Sequence, residues 1–97
     1  MPDIQTTAAF DRWLERLRDQ RGRAKILARL DRLLEGNPGD VRPIGLGVTE
    51  MRIDFGPGYR VYYTRRGHIY VMLLAGDKHS QKRDIAKAQQ LASELGK

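Results

Sequence analysis

The side chains that could do chemistry in this chain are arginines, tyrosines and histidines at close spacing. Arg52, Arg60, Tyr62, His68 and Tyr70 fall in apolar-alternating segments, and Lys78, His79, Lys82 and Arg83 follow a Gly-Asp pair. Guanidinium groups hold phosphates and phenol rings stack on bases, so this set suits single-stranded RNA. There are no cysteines and only two histidines, which excludes thiol nucleophiles, disulfides and any motif of metal-ligand spacing. No Gly-x-Gly-x-x-Gly, P-loop or serine elbow is present, so no nucleotide cofactor or acyl-enzyme chemistry is expected. Each residue also has a plainer reading. Tyr62 and Tyr70 could be ordinary strand aromatics, and Arg60 could pair across strands with Asp54 for up to about 1 kcal/mol. The convergence of these groups on one surface is what favours function.

The elements that must position them begin with Val48–Tyr63. Met51, Ile53 and Phe55 alternate with Glu50, Arg52 and Asp54, a period-2 strand pattern. Gly56-Pro57-Gly58 then makes a turn, proline by presetting φ and glycine by tolerating positive φ. A three-residue loop would set Phe55 against Tyr59, Ile53 against Val61 and Met51 against Tyr63. Asp54 would then face Arg60, Arg52 would face Tyr62, and Glu50 would face Thr64. Ile69–Ala75 reads as a third strand. With a three-residue loop at Arg65-Arg66-Gly67, all odd-numbered strand residues share one face and Glu50, Arg52, Asp54, Arg60, Tyr62, Thr64, His68 and Tyr70 share the other. A two-residue loop would move Ile69, Val71 and Leu73 to the Arg52 and Arg60 face; burial selects the first register, since a one-residue slip flips a whole strand.

Around this sheet the periodicity predicts three helices. Thr7 caps a first helix with a Phe10, Trp13, Leu14, Leu17 stripe. A second runs from near Arg23 with Ile26, Leu27, Leu30, Leu33 and Leu34 on one face, closed by Gly36 and Pro38. The short link makes an antiparallel helical hairpin the simplest arrangement. Most hairpin charges read as solvated faces worth a few tenths of a kcal/mol per pair. Met1–Thr7 could hold a short edge strand, Asn37–Gly47 reads as a loop, and Ser80 caps a last helix with Ile85, Ala88, Leu91, Ala92 and Leu95. The order indicates an α+β domain with an antiparallel sheet, residues 1–97 forming one domain.

Forty per cent hydrophobic and 31 per cent charged residues indicate a folded chain rather than a disordered one. A net charge of +6 suits a polyanionic partner, with nucleic acid foremost. No apolar run approaches the roughly 20 residues that span a bilayer and no signal-peptide pattern opens the chain. The expected compartment is the cytoplasm, with no membrane partner.

Two segments carry a family resemblance: Glu-Met-Arg-Ile-Asp-Phe-Gly-Pro-Gly-Tyr-Arg-Val-Tyr-Tyr at 50–63 and Leu-Leu-Ala-Gly-Asp-Lys-His-Ser-Gln-Lys-Arg-Asp-Ile-Ala-Lys-Ala at 73–88. With the Phe-x-x-Trp-Leu of the first helix and the Ala-x-Ile-Leu-Ala-Arg-Leu of the second, they resemble the RelE/ParE toxin superfamily, and within it the HigB-like, phage-derived addiction-module killer proteins. The resemblance implies the RelE-like fold and a type II toxin neutralised by an antitoxin, here expected to be of helix-turn-helix type in a hetero-oligomer. It further implies a ribosome-dependent mRNA endoribonuclease that inhibits translation without metal or other cofactor. ParE-like poisoning of DNA gyrase without nuclease action, or an inactive antitoxin-binding module, remain the alternatives. By motif, Arg52 and Arg60 would contact phosphate in the transition state, Lys78 would add charge or move a proton, and Tyr62 would stack or handle a proton. His79 joins them as a catalytic candidate because histidine titrates near neutrality. Arg65, Arg66, His68, Tyr70, Gln81, Lys82 and Arg83 are the expected RNA-binding residues. Gln81 and Asp84 fit the family's Gly-Asp-Lys-x-x-Gln-x-x-Asp pattern, though a helix start explains them as well. The identity of the general base and acid stays open.

Overall fold

The computed structural model describes residues 1–96. In chain order the elements are β1 (Asp3–Thr6), α1 (Ala8–Arg16), α2 (Gln20–Leu34), β2 (Val41–Gly45), β3 (Val48–Ile53), β4 (Tyr59–Arg66), β5 (Ile69–Gly76), a 3₁₀ turn (Lys78–Ser80) and α3 (Gln81–Leu95). The strands form one sheet in the order β1-β5-β4-β3-β2. This is the α+β class expected, but the sheet is mixed rather than antiparallel, because β1 runs parallel to β5.

Helix boundaries follow local chemistry. The Thr7 hydroxyl oxygen accepts from the Phe10 amide at 3.1 Å and starts α1. Asp19 does the same for α2, accepting from the Gly22 amide at 3.0 Å, so α2 begins three residues earlier than its apolar stripe indicates. Only Leu17–Asp19 separates the two helices. Gly36, at φ +87°, closes α2, and the Asn37 amide donates back to the Arg32 carbonyl.

One strand departs from the sequence reading and another agrees with it. Asn37–Gly47 is not a continuous loop: Val41–Gly45 pairs antiparallel with β3 as an edge strand, where Pro43 is tolerated because an edge needs fewer backbone donors. Asp3–Thr6 is indeed a strand, covering the other side of β5. The Asp3 amide donates to the His68 carbonyl, and the Arg66 guanidinium donates to the Leu95 carbonyl. Both ends of the described chain therefore meet the Gly67-His68 turn.

The strand registers also differ. β3 and β4 are joined by five residues, Asp54–Gly58, instead of three, so Glu50 faces Tyr62, Arg52 faces Arg60 and Ile53 faces Tyr59. Asp54 lies outside the ladder, and no ion pair joins it to Arg60 among the described residues. β4 and β5 are joined by only two residues, with Arg66 opposite Ile69 and Tyr63 opposite Met72. An irregularity then lets Tyr62 face Leu74, so Leu73 is the extra residue of a bulge.

The physical reason is that both sheet faces are covered. α1 and α2 cover Met51, Ile53, Tyr59, Val61, Tyr63, Met72 and Ala75, joined by Phe10, Ile26, Leu30 and Leu33. On the other face α3 covers Val48, Tyr62, Val71, Leu73 and Leu74 with Ala88. Burial selects one parity only where a single sheet face is buried. With an apolar helix stripe available on each side, Ile69 and Val71 gain burial against α3 while Tyr70 packs with the helical hairpin. A fully buried side chain of this size contributes about 1.5–3 kcal/mol on either side.

Candidate functional site

Helix α3 does not cover the whole of its sheet face. It starts at Gln81, whose side-chain amide donates to Glu50 Oε2 at 2.9 Å. One pleat further along each strand, Arg52 and Arg60 project beyond the helix start, as direct cross-strand partners. They line a cleft of about 390 Å³ with Lys78, Asp40, Asp54 and the Gly56-Pro57-Gly58 turn. The turn and the Gly-Asp-Lys corner are close neighbours: Lys78 Cβ lies 3.5 Å from where a Cβ on Gly58 would stand.

The arginines are held by their surroundings rather than free in solvent. Arg52 Nε is 3.5 Å from Asp40 Oδ2. Arg29, from α2, ties this region together by donating to the Arg52 carbonyl at 2.6 Å and to the Pro38 and Asp40 carbonyls at 3.0 and 3.3 Å. Arg60 is half-buried, and its Nε, fully shielded from solvent, has no hydrogen-bond partner among the described residues. An unpaired buried donor costs about 1–3 kcal/mol, and like charges directly opposite on adjacent strands add to that cost. Three cations, Arg52, Arg60 and Lys78, thus share one polar cleft with the Asp40 and Asp54 carboxylates.

The corner itself is set by Asp77. Its carboxylate accepts from the His79 amide at 2.8 Å and the Ser80 amide at 3.4 Å, while Ser80 Oγ also pairs with the buried Asp84. Ser80 precedes α3 but makes no side-chain cap of its own, so Asp77 is the capping residue where the sequence suggested Ser80. The turn sends Lys78 towards the arginine cleft and His79 to the opposite side, beside Trp13 and Arg83.

The structure separates the remaining candidate residues into distinct places. Tyr62 is fully buried beneath α3, so no base can stack on its ring in this conformation. Its hydroxyl lacks a hydrogen-bond partner among the described residues. Burial first, then the Glu50 and Asp84 carboxylates, push that hydroxyl well above the ordinary tyrosine range. Gln81 is spent on Glu50, and Lys82 and Arg83 are exposed at the start of α3. Arg65, Arg66, His68 and Tyr70 lie at the far end of β4 and β5. From Arg60 to Arg65 is five residues, about 17 Å at 3.3 Å per residue. There Arg65 sits 5.3 Å over the Tyr70 ring, and Tyr70 packs edge-on to Tyr63 at 5.7 Å. The single polar sheet face of the sequence reading is thus divided: Arg52 and Arg60 lie past the start of α3, Tyr62 lies beneath it, and Tyr70 lies on the opposite face with the helical hairpin.

Sequence reasoning missed Asp40, and it set Asp54 and Glu50 on the arginine face without a functional role. Asp40 and Asp54 line the arginine cleft, and Glu50, wholly buried, joins Arg42 Nε at 3.0 Å to Gln81 at 2.9 Å. Glu50 carried a usable signal: α3 has its own apolar stripe, so the even-numbered face needed a cover and its carboxylate a partner. Among the described residues no group of three or more histidine, aspartate or glutamate side chains is placed to hold a metal ion, and no helix is long and apolar enough to cross a membrane.

A helical pair and a lone helix on opposite faces of a small mixed sheet are compatible with a RelE-like fold. The chain belongs to the phage-derived Gp49-like protein family, a RelE-like toxin family, whose sequence profile matches residues 12–93. A protein of Haemophilus influenzae, named only as uncharacterized, is 49% identical over 94 residues, covering 96% of this chain and 95% of its own length. Membership in the family implies an antitoxin partner.

Proposed function

We propose that this chain, acting as one domain, is the toxin of a type II toxin–antitoxin pair and a HigB-like, metal-independent, ribosome-dependent endoribonuclease acting on mRNA in the cytoplasm. The observation that carries the reading is the opposed Arg52 and Arg60 pair, with the orphaned Arg60 Nε, in one cleft with Lys78. In 2′-hydroxyl attack the 2′-oxygen loses its proton and bonds to the adjacent phosphorus. The phosphorus–5′-oxygen bond breaks and the leaving oxygen takes up a proton, giving a 2′,3′-cyclic phosphate and a 5′-hydroxyl end. Arg52 and Arg60 neutralise the extra charge of the phosphorane, which is worth most where donors are fixed before reaction. In this reading Lys78 serves the leaving oxygen and Asp54 accepts the 2′-proton, a role supported by its position on the cleft lining and its lack of an ion pair among the described residues.

The test is inducible expression with and without the antitoxin, mapping mRNA 5′ ends and DNA breaks in the same cells. Cleavage within translated codons, reduced about 100-fold in a folded Arg60→Ala variant, is expected. DNA breaks with intact mRNA would overturn the reading in favour of a gyrase poison.

A further inference from the structure

A second cationic surface lies on the opposite side of the Asp77-Lys78-His79 corner. α1 and α3 leave a groove of about 500 Å³ between them. Its floor is apolar: Leu74 and Ala75 of β5, with Trp13 of α1 and Leu17, just past the end of α1, along one wall. Its rims are basic. Arg12 and Arg16 stand four residues apart on α1, and Arg83 and Lys87 stand four residues apart on α3. Four residues of helix rise about 6 Å, so the two rims carry cation pairs of matching spacing.

These charges are not matched within the chain. Arg12, Arg16 and Lys87 form no ion pair among the described residues, and Arg83 reaches Asp84 only at 4.0 Å. Asp84 is the one carboxylate on the groove lining, and it is buried and engaged by Ser80. Carboxylates on α1 exist, but Asp11 and Glu15 do not line the groove.

We infer that this groove is the docking site for an acidic amphipathic helix of a partner protein. The apolar floor takes a ridge of aliphatic side chains at i, i+3 or i+4, and i+7. Glutamates flanking that ridge at four-residue spacing meet the two cation pairs, giving register and fast association. A nucleic-acid strand fits less well, since the groove offers one aromatic ring, Trp13, for stacking, and its one carboxylate, Asp84, is engaged by Ser80 and not free to read base edges. The inference does not depend on nuclease activity, because none of the groove residues belongs to the arginine cleft.

Trp13 is the chain's single tryptophan, which makes its fluorescence a direct reporter. The probe is a 15-residue helical peptide with leucine at i, i+3 and i+7 and glutamate on both flanks. A shuffled peptide of identical composition and a 12-nucleotide oligouridine serve as comparisons, all at 150 mM salt. The ordered peptide is expected to give a saturable blue shift of Trp13 and to bind at least tenfold more tightly than the shuffled one. Arg16→Glu with Lys87→Glu should weaken it at least tenfold. Arg21→Glu with Arg32→Glu, the same change of net charge on the exposed face of α2, should change it less than threefold. Equal binding of ordered and shuffled peptides, equal weakening by both double variants, or tighter groove binding of oligouridine would each overturn the inference.

Discussion

Arg52 and Arg60 stand directly opposite each other on neighbouring strands, at a ladder position where two positive charges repel. Arg52 leans on Asp40, whereas Arg60 has no ion pair among the described residues. A fold that needed only stability would place opposite charges there, and under the proposed function an RNA phosphate between them offsets the repulsion.

Arg60→Gln should therefore stabilise the free protein while removing function. Relief of cross-strand repulsion is worth about 0.2–1 kcal/mol, a rise of a few degrees in Tm for a chain of this size. Sulfate should raise the Tm of the wild type more than that of the variant, through mass action on the folded state. Thermal unfolding with and without sulfate checks both, and a variant that melts lower than wild type would count against the strained pair.

The Glu50 network predicts an asymmetry between its two ends. Glu50 is wholly buried while the Arg42 side chain is about half exposed, at 51%. Arg42→Ala leaves a buried carboxylate with Gln81 as its remaining hydrogen-bond donor, which should cost about 3 kcal/mol. Glu50→Gln keeps the shape and removes the charge, leaving Arg42 to water, and should cost about 1 kcal/mol. Urea unfolding of both variants reads the order, and equal losses would show that the buried charge is not the cause.

Gly22 lies inside α2, where alanine is intrinsically better by about 1 kcal/mol. Here a Cβ would stand 2.5 Å from Tyr59 Cε2 and 2.7 Å from Asp19 Oδ2. Gly22→Ala should accordingly destabilise by about 1–2 kcal/mol net of its helix gain, as overpacked sites do. A fall in urea midpoint at unchanged slope is the expected record.

Tyr59 and Asp19 make stability fall at both ends of the pH scale. Burial, then the 2.7 Å hydrogen bond to Asp19, pushes the Tyr59 hydroxyl up to about 12. Its contribution is complete below the unfolded value near 10 and is lost as pH rises from there through about 12. The hydrogen bonds from Tyr59 and the Gly22 amide hold the Asp19 carboxyl below its ordinary value. Its contribution is present above about pH 4 and is lost as pH falls through the lowered value. Tyr59→Phe should flatten part of the alkaline loss, leaving the part due to Tyr62 and Tyr63, which burial also raises. It should reduce the acid loss as well, and unfolding measured at pH 3, 7 and 11 compares the two proteins.

The helices, the β3–β4 hairpin and the gathering of Arg52, Arg60 and Lys78 were readable because each rests on local pattern: a stripe, an alternation, a Gly-Asp-Lys turn. What could not be read depended on a neighbour distant in sequence. Val41–Gly45, with its proline and glycine, becomes a strand only because β3 offers an edge. The Leu73 bulge, which sends Leu73 and Leu74 to one face, is set by α3 covering that face. Tyr62 looked like a phenol on an open surface because the alternation that placed it beside Arg60 carries no information on where α3 begins. The two-residue shift at Asp54–Gly58 kept every side chain of the hairpin on its expected face while changing every partner. Arg52 thereby came to face Arg60 instead of Tyr62.

The placement of both ends of the described chain beside the Gly67-His68 turn has a practical consequence. Asp3 and Leu95 are anchored to residues 68 and 66, a full β4 length away from the Arg52 and Arg60 cleft. A fluorophore or surface tether attached at Asp3 or Leu95 is therefore held at the end of the sheet remote from that cleft. The molecule can thus be immobilised for single-particle or surface-binding work without shielding the face whose ligand is to be measured.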